Sequence, residues 1–330
     1  MARIAINGFG RIGRLFFRRG EELKNCQIAA INDLGDFENL AYLLEFDSVY
    51  RRWPQAGRHL TNIQFFQEKD PTLLPWRRLK IDIVVEATGV FESFAAASVH
   101  LRAGAKRVVL SAPAKDDDGD GGKTVLAGVN DWQIKSCRIS SNGSCTTNAA
   151  AVVVAVMGER PGIVKAALNT THGYTATQNL VDGPTRSKDL RRGRAAAQNI
   201  IPSTTGATIA VTRALPALQG KFAGTAIRVP VITGSLLDLT FLSKIPTTVD
   251  EINQLFRQSA QEERWRGLLR VSENQLVSSD IIGDPHAAIV DLPLTQVIDG
   301  NLVKVYAWYD NEWGYITTLI KHVAIAAANL

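Results

Sequence analysis

RIAINGFGRIG, residues 3–13, is a short apolar strand pattern running into a glycine-rich turn, and a helical stretch follows to about Leu23. A second apolar run, Gln27 to Ile31, ends in Asn32-Asp33. Together these form a dinucleotide-binding fingerprint in its required strand–turn–helix–strand context. Gly8 permits the tight turn, Gly10 lets the backbone approach a pyrophosphate, and Gly13 lets helix and strand pack closely. The start of the helix offers unpaired N–H groups and a positive dipole end to phosphate oxygens. Asp33 stands 20 residues beyond Gly13, where an acid reaches the adenosine ribose hydroxyls.

The alternation continues outward from this stretch. A helix is expected around Asp36 to Glu45, and a buried strand over Ile81 to Ala87, closed by Thr88-Gly89. A helix around Ser93 to Ala103 and a strand over Arg107 to Leu110, closed by Ser111, follow. Short strands are expected at Thr124–Val129 and Arg138–Ser140. Strands alternating with helices imply an α/β chain with a doubly wound, mostly parallel sheet covered on both faces. The 330 residues leave room for about two domains. A 45% hydrophobic share supplies sizeable cores, and a 21% charged share argues against a disordered or fibrous chain. No run of about 18 apolar residues occurs, so no membrane span is expected. Asn7, Gly8, Gly10 and Arg11 interrupt the first apolar run, unlike a secretory leader, and a cytoplasmic location is expected.

The formal charge is +5, but the bases are spread, with short clusters at Arg51-Arg52, Arg77-Arg78 and Arg191 to Arg194. Such scatter argues against dedicated nucleic-acid binding and suits steering of anionic metabolites. The three cysteines, Cys26, Cys137 and Cys145, are too few and of the wrong parity for a disulfide framework. No CxxC pair is present, and no metal site is expected. Asp116, Asp118, Asp120 and Gly121 fit half of a calcium-loop pattern, but Ala127 stands where its bidentate Glu belongs, and a solvated acidic turn is the expectation.

In the second half, SNGSCTTN (residues 141–148) precedes an apolar helical run, AAAVVVAVM. Ser144 and Thr146 are N-cap candidates, which puts Cys145 at or beside a helix N-terminus. The dipole there favours a thiolate, and the end's N–H groups can hold an oxyanion. Such a thiol is either a nucleophile or a small core residue; as a nucleophile it needs a base within hydrogen-bond reach. Among the five histidines, His172 follows the strand-like segment Val164 to Thr171 and opens a turn. His59 and His100 fall in expected surface segments, His322 in a terminal helix, and His286 reads as structural.

SNGSCTTN, HGYTATQ (172–178), VDGP (181–184), GRAAAQNIIPSTTGA (193–207), IRVP (227–230) and WYDNEWGY (308–315) occur in this order. From Arg3 onward the chain resembles the phosphorylating glyceraldehyde-3-phosphate dehydrogenase family. The resemblance implies a Rossmann-type domain over residues 1–144 with 313–330, and an inserted α+β catalytic and oligomerisation domain over 145–312. It implies NAD as cofactor, glyceraldehyde 3-phosphate and inorganic phosphate as substrates, and a homotetramer. Cys145 would attack the aldehyde to form a thiohemiacetal and then a thioester, with His172 as its base. Thr175 and Arg228 match the substrate-phosphate site. Ser144, Thr146, Thr205 and Gly206 match the site of the attacking phosphate. Gly8, Phe9, Gly10, Arg11, Ile12 and Gly13 match the cofactor phosphate loop, and Asn32, Asp33, Leu34 and Lys69 the adenosine side. Thr88, Gly89 and Ser111 line the same strand ends, Pro184 matches a position tied to cofactor choice, and Asn311 and Tyr315 match the nicotinamide side. The stretch from about Ala176 to Arg194 resembles a loop that crosses a subunit interface.

The sequence departs from the family pattern at several points. Ala149 replaces a second cysteine, Gly143 replaces an alanine before Ser144, Lys69 stands where an arginine is common, and Val49 to Leu60 lacks the usual glycine-bearing sequence. Erythrose-4-phosphate dehydrogenases are the nearest rival: Thr175, Thr205 and Gly206 speak against them, and Asp284-Pro285-His286 speaks for them. A dinucleotide- or RNA-binding protein without chemistry is the rival from another class, and Cys145 with His172 speaks against it.

Overall fold

The computed structural model describes residues 1–185 and 188–330. The chain divides into two compact units, residues 1–144 with 318–330, and residues 145–317.

The first unit carries β1 (Ala2–Asn7), α1 (Arg11–Arg18), β2 (Cys26–Asn32), α2 (Phe37–Glu45), α3 (Ala56–Leu60) and β3 (Gln64–Phe66). It continues through β4 (Ile83–Glu86), α4 (Phe94–Ala97), α5 (Val99–Arg102), β5 (Arg107–Leu110), β6 (Lys123–Thr124) and β7 (Ile139–Ser141). The strands form one sheet in the order β3-β2-β1-β4-β5-β7-β6, parallel throughout. Chain order reverses between β1 and β4, which makes the Rossmann-type switch point where such sheets open a crevice. Central strands buried on both faces read as unbroken apolar runs: Ile4, Ala5, Ile6, Ile83, Val84 and Val85 are fully buried.

Several local expectations are corrected. α1 stops at Arg18 rather than near Leu23, because Gly20 starts a 3₁₀ turn. A Cβ at Gly20 would lie 2.7 Å from Ile28 Cδ1, so this turn packs closely on the β2 side chain. The expected helix over 93–103 breaks at Ser98 into α4 and α5. Asp116 is not solvated in an idle turn: its carboxylate accepts the N–H groups of Phe94 and Ala95 at 2.8 and 3.0 Å. The expected strand 124–129 is cut to β6, because Asn130 Oδ1 captures the Leu126 N–H at 2.7 Å and bends the chain.

The second unit contains α6 (Cys145–Glu159), β8 (Ile163–Gly173), β9 (Ile201–Thr204), α7 (Ala207–Ala214), β10 (Phe222–Val229), β11 (Ser235–Ser243) and α8 (Val249–Ser259). It adds β12 (Leu269–Ser272), β13 (Ala288–Asp291), β14 (Gln296–Ile298) and β15 (Leu302–Tyr309). The strands form a mixed sheet in the order β12-β13-β15-β11-β8-β10-β9, with β14 on β15. α6 is apolar on all sides and buried from Thr146 to Met157, as a central helix must be. α9 (Trp313–Ala328) starts in this unit and supplies residues 318–330 to the first. The expected interface loop, 176–194, includes Arg186 and Ser187, which lie outside the described residues.

Candidate active site

In the first unit, the ends of β1, β2 and β4 surround a cavity of about 470 Å³, whose walls include Asn7, Gly8, Gly10, Asn32, Asp33, Leu34, Lys69 and Thr88. The glycines divide their tasks as physics requires. A Cβ at Gly13 would fall 2.1 Å from the Gly8 carbonyl oxygen, so helix and turn touch there. Gly8 has φ +96°, and its own Cβ would fall 2.5 Å from the Thr88 nitrogen. A Cβ at Gly10 meets nothing within 4 Å, so the backbone there is open to a ligand. Asp33 is locked in place: its Oδ2 accepts the Phe9 N–H at 2.6 Å and its Oδ1 the Gly35 N–H at 2.7 Å. The Arg11 guanidinium turns to Asp47 at 2.5 Å, which leaves its backbone N–H at the start of α1. Phe9 is buried against Phe17, and Ile12 is half-buried in α1. Leu34 and Lys69 stand exposed on the wall.

A buried polar chain lies beneath this wall, with Glu86 at its centre. Its carboxylate receives Asn7 Nδ2 at 2.6 Å, His100 Nε2 at 3.0 Å, and the Thr88 N–H and hydroxyl at 2.8 and 2.5 Å. Trp76 Nε1 donates to His100 Nδ1 at 3.2 Å, so His100 carries its proton on Nε2. The expectation of a surface His100 is therefore wrong: it is fully buried. Gly89 takes φ +68° just beyond Thr88, and Ser111 hydrogen-bonds through its N–H to the Glu86 carbonyl at 2.9 Å.

In the second unit, Cys145 is the first residue of α6, and Ser144 directly precedes it. Thr146 is not a cap. It lies inside the helix, with its hydroxyl 2.9 Å from the Tyr309 hydroxyl, which also meets Thr170 Oγ1 at 2.7 Å. Cys145 Sγ lies 3.3 Å from His172 Nε2. His172 belongs to β8 itself, which runs on to Gly173 rather than stopping at Thr171. The parallel register of β8 and β10 sets Arg228 directly beside His172. One strand pairing thus brings Arg228 Nη1 to 2.7 Å from His172 Nδ1, which itself lies 2.6 Å from the Gly173 carbonyl. Nδ1 can serve one of these neighbours at a time. Protonated, it donates to Gly173 and leaves the Nε2 lone pair facing the thiol.

Desolvation acts against the charged form of both reacting groups. It lowers the imidazole to about 3, with the Arg228 charge acting in the same direction. It pushes the Cys145 thiol up, against the opposing pull of Arg228 and the Thr146 N–H. The expected lowering of the thiol at the helix end is thus opposed by desolvation, the largest influence on it. Burial also raises the Tyr309 hydroxyl, so the tyrosine remains a proton donor. The Arg228 Nε is buried with no partner among the described residues, an aimed donor with capacity to spare.

The remaining sequence candidates are spread around this pair. The Thr175 hydroxyl meets Thr177 Oγ1 at 3.0 Å, two residues beyond β8. Thr205 and Gly206 stand at the N-terminus of α7, where Thr205 Oγ1 accepts the Ala207 N–H at 3.2 Å. Asn311 has its carbonyl oxygen fixed by Ser235 and Thr233 at 2.8 and 3.2 Å, which orients its amide nitrogen the other way. Tyr315 is buried in α9, and Pro184 is exposed.

The chain matches the family description "Glyceraldehyde 3-phosphate dehydrogenase, NAD binding domain" over residues 2–94 and "Glyceraldehyde 3-phosphate dehydrogenase, C-terminal domain" over residues 144–311. It belongs to the glyceraldehyde-3-phosphate dehydrogenase family. It is 45% identical over 344 residues to the glyceraldehyde-3-phosphate dehydrogenase of Mycobacterium avium, covering 99% of each chain. It is 44% identical over 329 residues to glyceraldehyde-3-phosphate dehydrogenase 2 of Streptomyces avermitilis, covering 96% of each. The chain is an NAD-dependent enzyme that oxidises glyceraldehyde 3-phosphate. The cavity at the β1–β4 switch point fits NAD, since Gly10 leaves the approach to its backbone unobstructed and Asp33 is fixed at its rim.

For a glyceraldehyde-3-phosphate dehydrogenase, sequence reading missed three groups beside the thiol and the cleft. Tyr309 was quoted in WYDNEWGY without a role, yet its hydroxyl bridges α6 and β8, and its ring centroid lies 5.9 Å from that of His172. Arg192 was read as one of a loop cluster. Its guanidinium reaches Ser203 Oγ at 3.0 Å and Thr177 Oγ1 at 3.3 Å, and its charge helps to keep His172 neutral. The Trp76–His100–Glu86 chain joins residues too far apart in sequence to show any pattern. Among the described residues no cluster fit to hold a metal ion is present, and no helix is long and apolar enough to cross a membrane.

Proposed function

We propose that Cys145 and His172 carry out a phosphorylating oxidation of glyceraldehyde 3-phosphate, with inorganic phosphate as second substrate. The 3.3 Å approach of Sγ to Nε2 at the head of α6 carries this reading. Because thiol and imidazole are both neutral at rest, the proton passes from Sγ to Nε2 as sulfur attacks the aldehyde carbon. The α6 N–H groups and the dipole of the helix then face the oxygen of the thiohemiacetal. The imidazolium returns that proton to the oxygen, and His172 takes it back as the carbon gives up its hydride and becomes a thioester. Bound NAD supplies the hydride acceptor. Phosphate oxygen attacks the thioester carbonyl, the C–S bond breaks, and 1,3-bisphosphoglycerate leaves while Cys145 is regenerated.

Arg228, with its buried free Nε, and Thr175 are assigned to the substrate phosphate. Ser144, Thr146 and the α7 N-terminus at Thr205-Gly206 are assigned to the attacking phosphate. An anion at Arg228 draws the guanidinium from His172 Nδ1 and favours the tautomer whose Nε2 accepts the thiol proton. Gly8 to Gly13, Asn32, Asp33, Leu34, Lys69, Thr88, Gly89 and Ser111 are assigned to the adenosine and pyrophosphate side, and Asn311, Tyr315 and Pro184 to the rest of the cofactor site. A homotetramer in the cytoplasm is the expected setting, supported by the resemblance of the 176–194 segment to a loop that crosses a subunit interface. The test follows NADH formation with glyceraldehyde 3-phosphate and with erythrose 4-phosphate, each with and without phosphate or arsenate. Steady turnover on the triose should require one of these anions; full-rate turnover without them, or preference for the tetrose, overturns the assignment.

A further inference from the structure

The turn that delivers Cys145 is gripped by the last helix of the chain. β7 ends at Ser141, and Asn142, Gly143 and Ser144 lead into α6. Backbone bonds seat the start of this turn. The Asn142 N–H donates to Leu110, and the Ser141 hydroxyl donates to Ala112 while accepting the Gly143 N–H. The Asn142 side chain is fully buried and held at both ends from α9: its Nδ2 donates to Thr318 Oγ1 at 2.9 Å, and its Oδ1 faces His322 Nδ1 at 3.2 Å. Thr318 and His322 are four residues apart, one turn of α9, and so present their polar atoms on one face. The second ring nitrogen, Nε2, lies 2.7 Å from Ser140 Oγ in β7. Since Asn142 Oδ1 only accepts, His322 carries its proton on Nδ1 in this contact and Ser140 donates to Nε2, with the Val125 backbone a further neighbour of the ring. This network ends at Asn142, three residues before the nucleophile in the chain.

We propose that His322 and Thr318 are positioning residues for Cys145, acting as a two-point clamp on Asn142 that fixes the turn from which α6 and its thiol start. The proposal rests on the reading of Cys145 as nucleophile. It follows from the geometry of general-base attack. A displacement of about 1 Å lengthens the 3.3 Å Sγ–Nε2 contact beyond proton-transfer reach, and misplacements of that size cost up to about a hundredfold in rate. A buried polar set that only filled the core would affect stability alone.

The two arms of His322 can be tested separately. His322→Leu removes both. It should lower kcat and the rate of Cys145 alkylation by iodoacetamide about tenfold or more, move the alkylation pH profile upward, and leave the KM for NAD within about twofold. His322→Asn keeps a donor at the Nδ1 position towards Asn142 and should recover most of both rates. Ser140→Ala breaks only the other arm and should lower the melting temperature with the alkylation profile unchanged. If His322→Leu lowers the melting temperature while kcat and alkylation stay at wild-type values, the clamp is refuted. It is also refuted if His322→Asn is as slow as His322→Leu. Should His322→Leu not fold, Thr318→Val removes the Asn142 Nδ2 acceptor and carries the same expectation of slowed alkylation; wild-type rates in that variant refute the clamp. Alkylation at Cys145 is read without substrate, so a wild-type enzyme inactive on glyceraldehyde 3-phosphate would contradict the proposed function and leave the clamp to be judged on the labelling ratios.

Discussion

Replacing Gly13 by alanine, with Gly10→Ala as its partner, separates two reasons for a glycine in one turn. At Gly13 the new methyl would lie 2.1 Å from the Gly8 carbonyl oxygen and 3.1 Å from its carbon. An ordinary carbon–oxygen contact is about 3.4 Å, so something must move by about 1.3 Å. Gly8 cannot yield, because it already packs against the Thr88 nitrogen at the end of β4. α1 must therefore lift off the sheet at its N-terminal turn. Overpacking of this kind costs about 1–3 kcal/mol, read as a melting temperature lower by several degrees. The lifted helix end also loses its aim at the pyrophosphate. Each charge-assisted hydrogen bond lost costs about 1.5–3 kcal/mol, or about ten- to a hundredfold in NAD affinity. At Gly10 the methyl meets no protein atom within 4 Å, and φ −68° suits alanine. Gly10→Ala should thus keep its stability to within about 0.5 kcal/mol and still lose NAD affinity, because the methyl occupies the cofactor's path. Calorimetric melting without ligand, followed by NAD titration, gives both quantities. The reasoning fails if Gly13→Ala melts and binds like the wild type, or if Gly10→Ala is destabilised as much as Gly13→Ala.

Cys145→Ser should abolish turnover by several powers of ten while NAD still binds, and His172→Asn should slow it roughly 10²–10⁴-fold with an upward shift in the pH profile of thiol alkylation; an unshifted profile would contradict the pairing. Cofactor choice should favour NAD over NADP, since a 2′-phosphate about 4 Å from the fixed Asp33 carboxylate costs on the order of 4 kcal/mol per unit charge pair at an effective dielectric of 20, before salt and rearrangement reduce it. The double change Asp33→Gly, Leu34→Thr should move the kcat/KM ratio towards NADP, and it should also lower stability, because the Phe9 and Gly35 N–H groups lose their acceptor. Acid should destabilise the fold through its buried neutral histidines: burial lowers His322 to about 4 from 6.5, so between those values the unfolded chain takes up a proton that the native one refuses. That difference is worth about 3 kcal/mol, present above pH 6.5 and lost by pH 4, and urea titrations should show a shallower pH dependence in His322→Leu than in the wild type.

The legibility of the chain followed the range of its interactions. Residues 3–33 could be read because strand, turn, helix and acid are consecutive, and each has its own local signal. Cys145 was legible as a helix-terminal thiol for the same reason, and the named motifs pointed to a family whose members share its chemistry. Long-range pairing was not legible. Nothing local says that β10 runs parallel to β8 in the register that sets Arg228 against His172, or that Trp76, His100 and Glu86 converge. His100 looked like a surface residue because its helix segment is short and polar at the ends; its burial is decided by Glu86 and Trp76. The expected lowering of the Cys145 thiol considered the helix dipole alone, whereas desolvation is set by tertiary packing.

The split membership of α9 also sets a timetable for synthesis. Residues 1–144 leave the ribosome first, yet the segment that completes their unit, residues 318–330, comes only after 145–317. Until then Ser140 and Asn142 lack their partners on α9, and Arg107 lacks the Asn329 carbonyl that it reaches at 2.5 Å. At roughly 5–20 residues per second, translating the intervening 173 residues takes about 10–35 s. For that interval the nucleotide-binding half has all seven strands but must wait for the helical segment that completes it, while the contiguous catalytic half can close as soon as it emerges. The part of the enzyme made first is therefore the part finished last, and it is where a nascent chain most needs shielding from its neighbours.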